Sequence, residues 1–327
     1  MTLGGAAVLL GSRAFQREPK PDPLELPLQP VRRSGFALGT HVSMQVWHAQ
    51  VSVGQSALDA AFSELETVEQ AMSLYRDNSE LTRLNRSGVL EHPHPYLYEV
   101  LKFSLQLSEQ SNGAFDVTVQ PLWNTYVKAA RRHGLPSAAE IEAAKKLTGW
   151  QDVELSLDRV RFKRPGMAIT LNGVAQGYAA DRALEALRRF DIRQALIDTG
   201  EFGALDRKPG AAYWPVGIQH PRDPNALLTT AGLEGQCLAT SGDYETFFTP
   251  DFSANHIFDP KTGSSPRDFS SVSIASPKGL WADGLSTALF VLGREKGAEL
   301  LKEYPGSSAL FVDKQVKMNE TPGFPEV

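Results

Sequence analysis

Cysteine is almost absent: Cys237 stands alone among 327 residues. A single thiol excludes an internal disulfide framework and any zinc or iron–sulfur site built from several cysteines. Such scarcity fits an oxidising compartment, where stray thiols are a liability. Basic charge is also in short supply. There are 33 Lys and Arg against 38 Asp and Glu, a net charge of −5. No stretch gathers a basic patch, so nucleic acid is excluded as the main partner. Apolar runs stay well short of the roughly 20 residues that a membrane span needs. Low-complexity tracts and internal repeats are missing from the body of the chain. What remains, 42% hydrophobic and 22% charged, is the composition of a folded domain. The length suggests two domains or one large one.

The first residues read MTLGGAAVLLG. This small, apolar stretch of about nine residues has the length and composition of a signal-peptide core. It lacks a basic front end and a clean Ala-x-Ala cleavage site, so an export remnant and a frayed tail are both open. Residues 16–30 are rich in proline and read as a linker. Residues 1–30 are therefore expected to be a signal or anchor remnant plus linker, with one domain over 31–327.

Within that domain the periodicities mix. Val42, Met44 and Val46 alternate with polar residues, which predicts a strand over 36–53. Leu58, Phe62, Leu65, Val68 and Met72 are spaced by three and four, predicting a helix over 55–72. Leu97, Leu101 and Leu105 predict another over 95–110, and Ser137 with Glu140 forms a capping-box pattern opening one at 138–147. Further helices are expected at 177–190, 282–292 and 294–303. Strands are expected at 152–156, 159–163, 167–171, 194–198, 214–219, 227–232, 235–239, 270–276 and 308–312. No regular βαβ rhythm runs through this order, so the class is α+β, with mixed helices and mostly antiparallel strands.

Four segments concentrate residues that helices and strands alone do not require. In SLYRDNSELTRLN (73–85), Tyr75 is an aromatic on a polar loop. It either packs or stacks on a flat ring. In NGAFDVTVQPL (112–122), Asp116 either makes an Asx turn or accepts a bond from a ligand. ITLNGVAQGY (169–178) runs from an extended stretch into a helix, bracketed by Gly173 and Gly177. Free N–H groups at such a helix start favour phosphate, although the pattern is neither a Walker A loop nor G-x-G-x-x-G. The last segment is a pair, TSGDY (240–244) with HIFDPKTG (256–263), and DGLST (283–287). Asp283 and Thr287 are four apart and share a helix face. A carboxylate with hydroxyls and a backbone carbonyl is an all-oxygen set that suits Mg²⁺ rather than zinc. Read alone, Asp283 is a helix N-terminal charge.

In order and combination these pieces resemble the ApbE-type FAD:protein FMN transferase family. The matching segments are Leu38-Gly-Thr40, SLYRDNSELTRLN, GAFDVTVQPL, LNGVAQGYAAD, DTGEFGAL with the later Trp214-Pro-Val-Gly217, TSGDYETFF, HIFDPKTG and ADGLSTALFVLG. They run from about residue 36 to 293. The resemblance implies Mg²⁺-dependent transfer of FMN from FAD to a Thr or Ser hydroxyl of a partner flavoprotein, with release of AMP. It implies action in the periplasm or at the outer face of the cytoplasmic membrane, on a periplasmic or membrane-bound acceptor. Carried over by motif, Tyr75 stacks on FAD, and Leu38, Ala114, Phe115 and Asp116 line its pocket. Thr170 and Gln176 fall at FAD contacts. His256 falls on the functional histidine, as base or as phosphate binder. Asp283, Thr287 and the Gly173 carbonyl match the Mg²⁺ site, with Ser286 helping.

Three positions depart from the common Asp-Leu-Gly-Gly-Ile-Ala-Lys-Gly pattern. Thr170 stands for Asp, Asn172 for the first Gly and Gln176 for Lys, and a later Gly-Gly reads Gly200-Glu201. These versions look like a branch that includes homologues linked to nitrous-oxide reductase maturation. An FAD carrier, or an FAD pyrophosphatase giving FMN and AMP, uses the same pocket. A serine hydrolase built from Ser241, Asp243 and His256 lacks the G-x-S-x-G elbow, and Cys237 sits in an apolar run expected to be core.

Overall fold

A computed structural model describes residues 27–327. The expected signal remnant, and the linker up to residue 26, lie outside the described residues. The linker reading ends too late: Gln29 and Pro30 already belong to the first strand.

That strand, β1 (Gln29–Ala37), turns through Leu38 and Gly39 into β2 (Thr40–His48). One strand was expected across 36–53. Leu38 and Gly39 instead both take positive φ, 55° and 76°, which is the backbone of a tight hairpin. Helix α1 (Val51–Met72) follows, then α2 (Glu80–Ser87), β3 (Val89–Glu91) and α3 (Pro95–Gln110). Next come α4 (Gln120–Ala130), α5 (Ala138–Lys145), β4 (Val153–Leu155), β5 (Arg159–Phe162) and α6 (Ala175–Arg188). The chain continues through β6 (Gln194–Asp198), β7 (Phe202–Leu205), β8 (Trp214–Gln219), β9 (Leu227–Leu233), β10 (Cys237–Gly242) and β11 (Phe269–Ser276). It ends with α7 (Gly279–Leu292), α8 (Arg294–Leu301), β12 (Ser308–Asp313) and β13 (Met318–Glu320).

The caps explain several boundaries. Ser137 and Glu140 form the reciprocal capping box predicted for α5. Ser79 accepts the Thr82 N–H at the start of α2. Pro95 opens α3, where its missing N–H costs nothing. Helices α2 and α4, strands β3, β7 and β13, and β1 before residue 36 were not anticipated. Conversely, residues 167–171 are extended but join no ladder. The Asn85 side chain takes the place of a neighbouring strand, donating to Ile169 O (2.8 Å) and accepting from Ile169 N (2.7 Å).

Every strand pairing is antiparallel. The main sheet has the order β1-β2-β6-β7-β10-β11-β12-β13, with a three-stranded sheet β3-β5-β4 and a ribbon β8-β9 beside it. Both faces of the main sheet are covered. Along β12, Ala309 and Phe311 join the core under the helices, whereas Leu310 and Val312 join the core under the β8-β9 ribbon. That is the period of two that a strand imposes. It also explains why β11 is buried at all eight positions. On the helical face α6 lies against α1 and α7, and α7 rests on β10 and β11. A third small core joins α4 and α5 to the loop after β10 through Leu122, Tyr126, Ala144, Ala254 and Phe258. No helix among the described residues is long and apolar enough to cross a membrane.

Candidate active site

The site is built where α6 and α7 begin. The two helices meet backbone to backbone: a Cβ on Gly177 would lie 2.1 Å from Gly279 O and 2.6 Å from Asp283 Cβ. Only hydrogen fits there. Each helix also supplies an acceptor to the other. Gly177 N–H donates to Asp283 Oδ2 (2.9 Å). In return, Gly279 N–H donates to Asp181 Oδ1 (2.6 Å) and Leu280 N–H to Asp181 Oδ2 (2.9 Å). Orphan N–H groups at both helix starts are thus satisfied by carboxylates from the neighbour. Both halves are written Gly-x-x-x-Asp, as GYAAD (177–181) and GLWAD (279–283). A spacing of four stacks the Gly and the Asp on one helix face.

This exchange fixes Asp283 beside a group of hydroxyls. Ser241 Oγ lies 2.7 Å from Ser286 Oγ and 3.0 Å from Thr287 Oγ1. Ser286 Oγ donates to Asp283 O (2.8 Å). Gly173 closes the group: a Cβ there would lie 3.0 Å from Thr287 Oγ1 and 3.7 Å from the Phe115 ring. Sequence reasoning did not place Ser241 in this hydroxyl group, although it sits in the TSG motif. Asp283 is buried, and burial pushes its pKa up to about 7, against the Gly177 N–H that stabilises the anion. Its Oδ1 has no hydrogen-bond partner among the described residues. No three His, Cys, Asp or Glu side chains among them form a metal-ligating group. The donors here are instead a carboxylate and hydroxyls. These hard oxygen ligands, with one carboxylate oxygen still unpaired, fit Mg²⁺.

The remaining expected residues fall on the surrounding loops. Thr170 is held by its N–H to Val117 O (2.8 Å), and its Oγ1 accepts the Asn172 N–H (3.3 Å). Gln176 lies against Gly200, its carbonyl accepting from Thr199 Oγ1 (3.2 Å). Ala114 and Phe115 are buried. Asp116 makes the Asx turn: Oδ1 accepts from Thr118 N (2.8 Å) and Thr118 Oγ1 (2.6 Å), and Oδ2 from Trp150 N (3.1 Å). Its direct bonds are therefore internal. Tyr75 is 79% exposed, which excludes the packing reading and leaves its ring free to stack. Leu38 sits at the hairpin turn, partly buried against the main core.

His256 belongs to the loop after β10. Thr246 O accepts from His256 N (3.0 Å) and lies 3.2 Å from Nδ1. That contact places the neutral ring's proton on Nδ1 and leaves Nε2 as acceptor. Burial lowers its pKa, favouring the neutral ring. The Asp-Pro-x-Thr-Gly portion that follows is a turn: Gly263 N–H donates to Asp259 O (2.8 Å) and Asp259 N–H to Ser264 O (2.9 Å). No hydrogen bond among the described residues links His256, Tyr75 or Leu38 to the Asp283 group.

Two other readings end here. The Asp243 carboxylate is gripped by Arg222 (2.7 and 2.9 Å) and Lys314 (2.5 Å), so it does not serve a Ser241–His256 relay. Cys237 is buried, and burial raises its thiol pKa well above the usual range. It is a core residue.

Sequence reasoning passed over three more acids. Glu201, Asp198 and Glu245 all have pKa values raised first by burial. The signal for Glu201 was present as the acidic residue in the second position of Gly200-Glu201.

The ApbE family model matches residues 38–311. The FAD:protein FMN transferase of Treponema pallidum is 32% identical over 315 residues, covering 87% of this chain and 85% of that protein. The FAD:protein FMN transferase of Salmonella typhimurium is 32% identical over 256 residues, covering 73% and 72%. Among solved structures, the ApbE protein of Thermotoga maritima superposes with a TM-score of 0.80 at 29% identity, covering 90% of this chain and 97% of that one. The apo flavinyl transferase ApbE of Pseudomonas stutzeri gives 0.77 at 29%, covering 90% and 95%.

Proposed function

The chain belongs to the ApbE family, and from that premise we propose that it transfers FMN from FAD to a Thr or Ser hydroxyl of a partner flavoprotein, releasing AMP. One observation carries the reading: Asp283, Thr287, Ser286 and Ser241 converge beside Gly173 at the start of α6. Oxygen ligands gathered beside a helix start suit a divalent cation that in turn holds a pyrophosphate. Asp283, Thr287 and the Gly173 carbonyl would hold Mg²⁺, with Ser286 helping. When bound there, Mg²⁺ supplies charge neutralisation on the pyrophosphate.

The chain's own groups then have separate tasks. Tyr75 offers an exposed face for stacking on a flavin or adenine ring. Leu38, Ala114 and Phe115 supply apolar lining. Asp116 shapes that wall by holding Thr118 and Trp150. Thr170 and Gln176 present neutral polar contacts to FAD where the common family pattern has charged ones. The acceptor hydroxyl must lose its proton as it attacks the FMN phosphorus. His256 Nε2, with Nδ1–H fixed on Thr246 O, is the group set up to receive it. Pyrophosphate cleavage gives AMP as leaving group, and phosphoester bond formation gives the flavinylated protein.

The scarcity of cysteine and the apolar first residues support a site of action outside the cytoplasm, on a periplasmic or membrane-bound acceptor. To test the transferase reading, the protein is incubated with FAD, Mg²⁺ and an acceptor-flavoprotein fragment bearing a candidate threonine. Intact-mass spectrometry reads the fragment, and AMP is assayed in parallel. A gain of one FMN mass, lost in Asp283→Ala, is expected. AMP release without a mass gain across a panel of acceptors would replace transfer with hydrolysis.

A further inference from the structure

The transferase reading leaves Glu201 without a task. It lies just before β7, where the ladder to β10 stops: Leu238 pairs with Phe202, and no pair continues beyond it. Its side chain takes over there, Oε2 accepting the Thr240 N–H (3.1 Å). This holds the carboxylate beside the residue that precedes Ser241, whose Oγ lies 3.0 Å from Thr287 Oγ1. The Glu201 carbonyl is fixed as well, accepting from Thr199 N (2.9 Å) and Thr199 Oγ1 (3.1 Å). Backbone and side chain are therefore both anchored at the edge of the Asp283 group.

Its acidic neighbours are Asp283, Asp198 and Glu245. None of the four forms a salt bridge among the described residues. Oε1 of Glu201 accepts no hydrogen bond there either. Thr199 Oγ1, which donates to the Glu201 carbonyl, also reaches Gln176 O (3.2 Å), one residue before the Gly177 N–H that bonds Asp283. Two carboxylates placed in this way, each with one oxygen unbonded and neither in a salt bridge, offer oxygen ligands to a cation.

We infer that Glu201 supplies a second carboxylate to the divalent-cation site, acting with Asp283. The inference rests on the cation-dependent reading above and adds a residue to it. The glycine of the common family pattern has no side chain to offer at this position, whereas this chain has lost the carboxylate that the same pattern places at Thr170.

The test is direct cation binding by the purified full chain, without FAD. Mn²⁺ is followed by electron paramagnetic resonance and Mg²⁺ by calorimetry, for wild type, E201Q, E201G and D283N. The Gln amide oxygen still accepts the Thr240 N–H, so E201Q is expected to keep its metal-free unfolding midpoint. Its Mn²⁺ affinity is expected to fall roughly 10- to 100-fold, in the range seen when groups supporting a metal site are removed. E201G is expected to lose the same affinity and also some stability, because the Thr240 N–H is left uncapped. Unchanged Mn²⁺ affinity in E201Q and E201G, with binding lost in D283N, overturns the role of Glu201 and leaves the Asp283 site standing. Failure of the wild type to bind either cation overturns both.

Discussion

Replacing Gly177 by Ala tests the physical core of the site. In an isolated helix the change is favourable by about 1 kcal/mol. Here the new Cβ would stand 2.1 Å from Gly279 O and 2.6 Å from Asp283 Cβ. Ordinary contact between such atoms needs well over 3 Å, so α6 and α7 must separate by roughly 1 Å. Overpacking of this kind costs about 1–3 kcal/mol. Separation also lengthens the Gly177 N–H bond to Asp283, and a buried group losing its partner costs about 1–3 kcal/mol more. Against the helix-propensity gain, a net loss of roughly 3 kcal/mol is expected, lowering Tm by several degrees. The functional effect is larger than the structural one. Asp283 moves with the displaced contact, and a misplacement of about 1 Å costs on the order of 100-fold in rate. Urea unfolding reads the first quantity, and Mn²⁺ affinity with FMN transfer reads the second. Gly134→Ala is the control, because nothing lies within 4 Å of a Cβ there; its stability should stay within about 0.5 kcal/mol of wild type. A G177A protein as stable as wild type, with cation affinity intact, would refute the close-contact argument.

Further outcomes follow from the same geometry. Asp181→Asn keeps one acceptor for the start of α7 but turns an amide N–H₂ toward a second N–H. We expect about 1–3 kcal/mol of lost stability by denaturant titration, together with weaker Mn²⁺ binding, since Asp283 lies on that helix. The raised pKa of Asp283 gives a definite pH slope. In the metal-free protein it holds a proton up to about pH 7, whereas the unfolded chain releases it near pH 4. Its contribution to stability is therefore full below pH 4 and is lost as pH rises toward 7, up to about 4 kcal/mol in all. Melting curves of wild type against D283N should show a shallower slope in the second, the remainder coming from the other buried acids such as Glu201, Asp198 and Glu245. Stabilisation by added Mg²⁺ should grow over the same window, because the cation needs the anion. Tyr75→Ala should leave stability within about 0.5 kcal/mol, since the ring is 79% exposed. It should weaken FAD binding, read by fluorescence quenching, by about 1–3 kcal/mol, the range for one aromatic stacking on a base.

Much of the secondary structure was legible because its causes are local. Helices α1 and α3 announce themselves by apolar residues every three or four positions, and α5 by Ser137 and Glu140. The eight ordered motifs likewise located Asp283, Thr287 and Gly173 before any contact was known. Where local pattern misled, a contact distant in sequence was responsible. The alternation at 167–171 resembles a strand, yet its partners are the Asn85 side chain and the single carbonyl of Val117 rather than a neighbouring strand. The turn at Leu38 was hidden because leucine rarely takes positive φ, and the ladder from β1 to β2 imposes it.

The sequence alone determined the α+β class and the family, because periodicity and motif order are written along the chain, and it named several of the oxygen-bearing residues that gather around Asp283. Only the tertiary structure decided which of those residues act together. The exchange between Gly177–Asp181 and Gly279–Asp283 joins residues about a hundred positions apart, and neither half has a partner until α6 and α7 pack. Glu201 is the same case. A carboxylate in place of a glycine reads as variation in one dimension. It becomes a candidate cation ligand once β10 ends its pairing with β7 and the Thr240 N–H holds the side chain next to Ser241.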